Sequence, residues 1–102
     1  MSLFIKTEQF TQKTLSLLPE ERQAYLAEHK CWVEELKSSG KKLASGYLVN
    51  KEKYPGGGGL LVIEATCFEE AKFLVAQDPM IKNNLVTWEL QEWIPVVGKL
   101  LS

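Results

Sequence analysis

Cysteine and histidine are the scarcest chemistry-bearing residues in this 102-residue chain, with two of the first and one of the second. Cys31 and Cys67 have neither CxxC spacing nor the numbers for a disulfide framework. They read as reduced thiols that act as small core residues. One histidine, His29, and two distant cysteines make no recognisable ligand set, so neither a metal nor a cofactor is expected. Charge of one sign is lacking as well. Twelve basic residues stand against 13 acidic ones, which leaves no electrostatic footprint for nucleic acid or an anionic membrane surface. No apolar run approaches transmembrane length, and residues 1–8 have neither the basic start nor the apolar stretch of a signal peptide. The expectation is a soluble, cytoplasmic protein.

What is present is enough apolar sequence, 45%, to build one core. Residues 1–102 are read as a single domain, with a core over about 3–96 and a C-terminal tail over 97–102. A domain this small leaves much of its surface uncovered, so a second subunit is the expected partner.

In chain order, residues 3–8 form a short strand with Phe4 on one face and Leu3 and Ile5 on the other. Residues 10–18 read as a connection pinned by Leu15, Leu17 and Leu18. A helix starts near Pro19, with Glu20 and Glu21 at the positive end of its dipole, and runs to about Ser39, where Gly40 stops it. Along it Leu26, His29, Val33 and Leu36 recur at three- and four-residue steps. The only imidazole therefore lies on the apolar side, where it either completes a core hydrogen bond or points into a pocket. Glu34, Glu35, Lys37, Lys41 and Lys42 read as a solvated helix end and turn.

Residues 43–50 form a second strand. Residues 51–59, which hold Pro55 and four glycines, read as a flexible loop between antiparallel strands. A phosphate loop is disfavoured, because no GK[ST] follows and the next element is a strand. Residues 60–65 are the clearest strand, apolar on both faces. Thr66 and Glu69 have capping-box spacing before a helix that carries Phe68, Ala71, Leu74 and Val75 and ends at Gln77-Asp78-Pro79. A turn over 80–84 leads to a fourth strand over 85–93, with Val86, Trp88 and Leu90 opposite Thr87, Glu89 and Gln91. Trp32, Trp88 and Trp93 read as core or interface residues. The apolar segment 94–102 is expected to dock on the domain or on a second subunit.

This order gives an α+β fold: a ferredoxin-like βαββαβ arrangement with two helices on one face of a four-stranded antiparallel sheet. The opposite face is left bare. Because the third strand is apolar there too, pairing two subunits face to face would cover it.

Several of these residues, in this order, resemble the YCII-related family. They are Glu28-His29-Lys30, Trp32-Val33 with Leu36-Lys37 and Gly40, Ser45-Gly46, Ile63-Glu64-Ala65, Phe68-Glu69-Glu70-Ala71, and Asp78-Pro79-Met80-Ile81-Lys82. The resemblance spans about residues 3–96 and implies a ferredoxin-like fold that dimerises as an α/β barrel. It also implies a catalytic site centred on a histidine and an aspartate, which here are His29 and Asp78. The family often has Gly-Pro where this chain has Gly46-Tyr47, so the wall after the second strand differs.

An imidazole titrates near neutrality, and a carboxylate on its other nitrogen fixes the tautomer and stabilises the charged form. Such a pair suits proton abstraction beside a carbonyl, isomerisation or elimination. The favoured reading is a cofactor-free lyase or isomerase acting on a small molecule, with His29 and Asp78 catalytic and Ser45 and Gly46 binding the substrate. Ser45 lacks the GxSxG elbow of an acylating serine. A non-catalytic ligand-binding or accessory module on the same barrel is the alternative. An oxygenase-like activity rests on fold analogy alone and ranks third.

Overall fold

The computed structural model describes residues 1–98. Four strands, β1 (Ser2–Phe10), β2 (Leu43–Val49), β3 (Pro55–Ala65) and β4 (Val86–Trp93), form one sheet in the order β2-β3-β1-β4, with every neighbouring pair antiparallel. A 20-residue helix, α2 (Pro19–Ser38), and the shorter α3 (Phe68–Val75) supply the two crossovers. Two single turns, α1 (Gln12–Leu15) and α4 (Pro79–Lys82), complete the described residues. This is the ferredoxin-like α+β arrangement that the element order implies.

Strand alternation decides what the helices cover. Phe4, Leu61, Ile63 and Ala65 point to one face and form a core with Ala71 and Val75 of α3, against which Trp32 of α2 and Trp88 and Leu90 of β4 pack. Val86, Trp88 and Leu90 therefore face the helices. Their strand neighbours Thr87, Glu89 and Gln91 line the open face beside Gln9, Thr7 and Ile5. A second cluster of Met80, Leu85 and Val86 joins α4 to Tyr25 and Leu26 of α2. That contact sets the distance between α2 and the 78–82 turn.

The helix ends follow their local chemistry. Pro19 opens α2, and the Glu21 carboxylate reaches back to the Leu18 N–H at 3.1 Å. Gly40 takes φ 95°, and the Lys41 N–H closes on the Leu36 carbonyl at 3.0 Å, so the expected stop holds. At α3 the expected cap differs. The helix begins one residue later, with Cys67 at the cap position and no side-chain bond from it, and Glu70 rather than Glu69 accepts the Thr66 N–H, at 2.8 Å.

Three further expectations are corrected, and a fourth is narrowed. The glycine run is no loop, because Gly56 to Gly59 belong to β3, where Gly58 and Gly59 pair with Gln9 and Glu8 of β1 and Gly59 also pairs with Tyr47 of β2. A ladder is made by backbone groups, and strands on both sides compensate for glycine's weak strand preference. The hairpin tightens instead at residues 50–54, where the Asn50 side chain accepts the N–H groups of Glu52 and Tyr54 at 2.9 and 3.0 Å. Residues 10–18 contain α1, whose buried Thr14 donates its hydroxyl to the Leu85 carbonyl. Cys31 and Cys67 are both exposed rather than core residues, the first lying off the apolar stripe of α2 and the second at the helix end. Finally, Ile94, Val96 and Val97 are 66%, 89% and 91% exposed, so the described part of the tail does not dock on its own chain; residues 99–102 lie outside the described residues.

Ile63 is fully buried at the centre of the core. Ile63→Ala should cost about 2–5 kcal/mol, read as a lower urea midpoint at unchanged slope. A cost below about 1 kcal/mol would show that the packing between sheet and helices is not what holds the fold.

Candidate active site

His29 leaves α2 toward the sheet, and its side chain is 18% exposed. Its ring lies against that of Trp32 one turn on, with centroids 5.7 Å apart. Asp78 sits between α3 and α4. α3 has already ended at Val75, ahead of the expected stop at Gln77-Asp78-Pro79; Pro79 opens α4, and Asp78 caps it by accepting the Met80 N–H at Oδ1, 2.9 Å away. The cap fixes the carboxylate, and α4 is held on α2 by the Met80 cluster. The same Oδ1 then meets His29 Nδ1 at 2.9 Å. On the far side of the ring, Nε2 stands 3.0 Å from Ser45 Oγ on β2.

The sequence thus named three residues that the fold joins in one hydrogen-bonded line, and both alternatives offered for the imidazole hold together. His29 is bonded at both nitrogens and also borders a groove of 1040 Å³ between α2 and the β2–β3 hairpin. Gly46 borders that groove too, but a Cβ there would meet nothing within 4 Å, so glycine is not needed for space. Glu34 and Lys37, read as a purely solvated helix end, edge the groove mouth. Lys41, in the α2–β2 turn, lies 3.9 Å from Glu70 of α3.

Lys6 was missed. It lies fully buried on β1, and its ammonium donates to Asp78 Oδ2 at 3.0 Å and to the Glu8 carboxylate. An unpaired buried ammonium costs several kcal/mol, so two carboxylates around it account for its tolerance. In the sequence it is one lysine in a short strand, and its only signal is a charge at a position that alternation turns inward with Phe4. Glu8 follows two residues later on the same face and borders the groove. Gly59 opposes it, and a Cβ there would lie 3.1 Å from Glu8 Cγ. The glycine leaves the space in which Glu8 lies.

The electrostatics of Asp78 are a contest. Burial alone pushes its carboxyl upward. The His29 hydrogen bond, the Lys6 charge, the His29 charge and the Met80 N–H together outweigh that, and the carboxyl is held below the usual aspartate value. Asp78 is therefore a carboxylate at neutral pH and can only accept hydrogen bonds. Nδ1 of His29 must carry the proton it shares with Asp78. In the neutral ring that leaves Nε2 unprotonated, accepting the Ser45 hydroxyl. The arrangement presents a basic nitrogen at the groove, with a fixed counter-charge behind it. Among the described residues, no group of three or more histidine, cysteine, aspartate or glutamate side chains stands close enough to hold a metal ion. Between Glu8 and Asp78 the cation is the Lys6 ammonium.

The model of the YCII-related domain matches residues 2–94. The chain belongs to the YCII-related family. Among proteins with curated descriptions none matches it. Several solved structures share the fold of this family member. The 5-chloro-2-hydroxyhydroquinone dehydrochlorinase TftG from Burkholderia phenoliruptrix AC1100, in complex with 2,5-dihydroxybenzoquinone, is 22% identical with a TM-score of 0.69, over 90% of this chain and 93% of that one. A dimeric ferredoxin-like protein from an uncultured marine organism is 17% identical (TM-score 0.51, over 95% and 96%). An antibiotic biosynthesis monooxygenase is 15% identical (TM-score 0.55, over 93% and 99%). No helix of the described residues is long and apolar enough to cross a membrane.

Because Asp78 titrates below its unfolded value, its contribution to stability is complete above the usual aspartate range and is lost as pH falls through the lower native value. Wild-type stability should therefore fall as the pH drops through the usual aspartate range and below it, and Asp78→Asn should be less stable at neutrality with a flatter acid limb. Urea midpoints across that range decide it. An acid limb unchanged in the variant would mean that Asp78 does not carry the linkage.

Proposed function

We propose that this protein is a cofactor-free enzyme of lyase or isomerase type acting on a small phenolic, quinonoid or carbonyl compound in the groove beside His29. The observation that carries the reading is the Asp78–His29–Ser45 line, in which the imidazole turns an unprotonated nitrogen toward the groove. His29 Nε2 takes a proton from the substrate, and the imidazolium that forms is stabilised by Asp78 across the Nδ1–H bond. The same proton then returns at a second substrate atom, or leaves with a departing group, which gives isomerisation or elimination. On substrate binding the Ser45 hydroxyl turns away from Nε2, which frees the lone pair of that nitrogen, and donates instead to a substrate oxygen beside it, with Gly46 next to it on the wall. Ser45 lies within a strand and not on a strand-to-helix elbow, which favours a binding role over acylation.

A dehydrochlorinase among the structural neighbours supports the choice of class, since loss of hydrogen chloride from a hydroxylated ring is an elimination that needs a placed base. Its 2,5-dihydroxybenzoquinone complex suggests flat, oxygenated rings as the first compounds to try.

The reading includes a homodimer. Leu3, Ile5, Leu60 and Val62 lie on the open sheet face, and β4 contributes Trp93 there, fringed by Thr87, Glu89 and Gln91. Covering this face with a second copy removes its apolar band from water and gives the exposed Ile94, Val96 and Val97 a surface to meet. The dimeric ferredoxin-like neighbour supports this assembly. In solution the protein should run as a dimer or a multiple of one, and a stable monomer at micromolar concentration would contradict the barrel.

The activity test is a panel of chlorinated and non-chlorinated hydroxyhydroquinones, with ring absorbance as the readout. His29→Gln should lose about 10²–10⁴-fold in kcat/KM, Asp78→Asn a comparable factor, and Ser45→Ala should act mainly on KM. Turnover unaffected by His29→Gln overturns the mechanism. Binding of the quinone without turnover by the wild type would support the ligand-binding module instead.

A further inference from the structure

We propose that Lys6 and Glu8 are positioning residues of the same site, an alternating charge chain, Glu8⁻–Lys6⁺–Asp78⁻, that sets how strongly His29 holds its proton. The inference rests on the acid–base reading of His29 and Asp78 and adds to it two residues of β1.

Three observations carry it. Lys6 is fully buried although a core position two residues from Phe4 on the same strand face would accept an apolar side chain of similar length. Its ammonium spans two carboxylates and takes the Asp78 oxygen that His29 does not use, Oδ2 against Oδ1. The two donors share Asp78 from opposite sides, so neither can move without changing the other's hold on it. Glu8, in turn, is seated by the absence of a side chain at Gly59. A Cβ there would press on it, so the strand residue opposite Glu8 is fitted to its presence.

The signs follow from Coulomb's law in a partly desolvated site. The charge on Lys6 disfavours an imidazolium at His29 and weakens the pull of Asp78 on it. Glu8 offsets part of the Lys6 charge and so favours the imidazolium. Lys6 also keeps Asp78 ionised when His29 is neutral, which preserves the tautomer with a free Nε2. The other groups that face His29 across the groove are Arg22, Lys30, Glu34 and Lys37 on its own helix and Tyr47 on β2. They stand at the groove wall, open to water, where screening weakens them. Lys6 is fully buried behind the pair, and Glu8, although it borders the groove, keeps its side chain only 12% exposed. Asp78 and Met80 of the 78–82 turn complete the surroundings, and Met80 brings no charge.

A merely structural Lys6 would be replaceable by methionine at a cost in stability alone. A positioning Lys6 also moves the imidazole titration. The experiment is an NMR titration of the single histidine in the wild type and in Lys6→Met, Glu8→Gln and Asp78→Asn. The expected result is a midpoint displaced to higher pH in Lys6→Met and to lower pH in Glu8→Gln and in Asp78→Asn, by about half a pH unit or more for Lys6. Displacement in Asp78→Asn with none in Lys6→Met and Glu8→Gln overturns the charge chain and leaves the His29–Asp78 pair standing. No displacement in any of the three overturns both. Should Lys6→Met not fold, Glu8→Gln decides alone, since its carboxylate is replaced by a group of the same shape. A lower midpoint supports the chain, and an unmoved or higher one overturns it.

Discussion

The cap that Asp78 places on α4 is the constraint on which the site depends. A single carboxylate oxygen accepts the Met80 N–H and His29 Nδ1, while the other oxygen takes the Lys6 ammonium. Local backbone chemistry, a helix contact and a buried strand residue thus meet at one side chain. Proline at position 79 makes the geometry reproducible, because its fixed φ starts α4 directly after the Asp78 cap. With Asp78 fixed by the backbone, the imidazole has one tautomer, and the tautomer determines which nitrogen can act as a base.

Around that point the ferredoxin-like sheet acts as a positioning frame. β1 runs through the centre of the sheet and brings Lys6 beneath Asp78, while β2 at the edge brings Ser45 to the other end of the imidazole. The long α2 is only half-buried along its inner stripe, which leaves a groove between it and the hairpin. A better-buried helix would have closed that groove. The absence of side chains along Gly56 to Gly59 keeps its lower wall thin and leaves room for Glu8.

Much of this frame was legible in the residues. The stripe of Leu26, His29, Val33 and Leu36 placed the histidine on the inward side of α2, and the apolar run over 60–65 located the strand most deeply buried. Gly40 marked the helix end through its left-handed backbone. The nearness of His29 to Asp78 was implied by family resemblance and not by spacing, because 49 residues separate them and no local rule joins a helix face to a turn that far away. Lys6 was illegible for a related reason. Burying an ammonium is unfavourable by itself, and only the tertiary arrangement of Asp78 and Glu8 makes it tolerable. The glycine run misled because composition favours a loop, whereas strand neighbours on two sides impose the ladder. The two thiols misled in the opposite sense, since small apolar residues are common inside but these lie off the buried faces.

The tautomer of His29 decides which nitrogen can act as the base, and the nitrogen-15 shifts of the neutral imidazole measure it directly. A protonated Nδ1 with an unprotonated Nε2, lost in favour of a tautomer mixture when Asp78 becomes asparagine, is the predicted result. A ring protonated at Nε2 in the wild type would contradict it, because the groove would then face a donor and Asp78 would not be orienting the base.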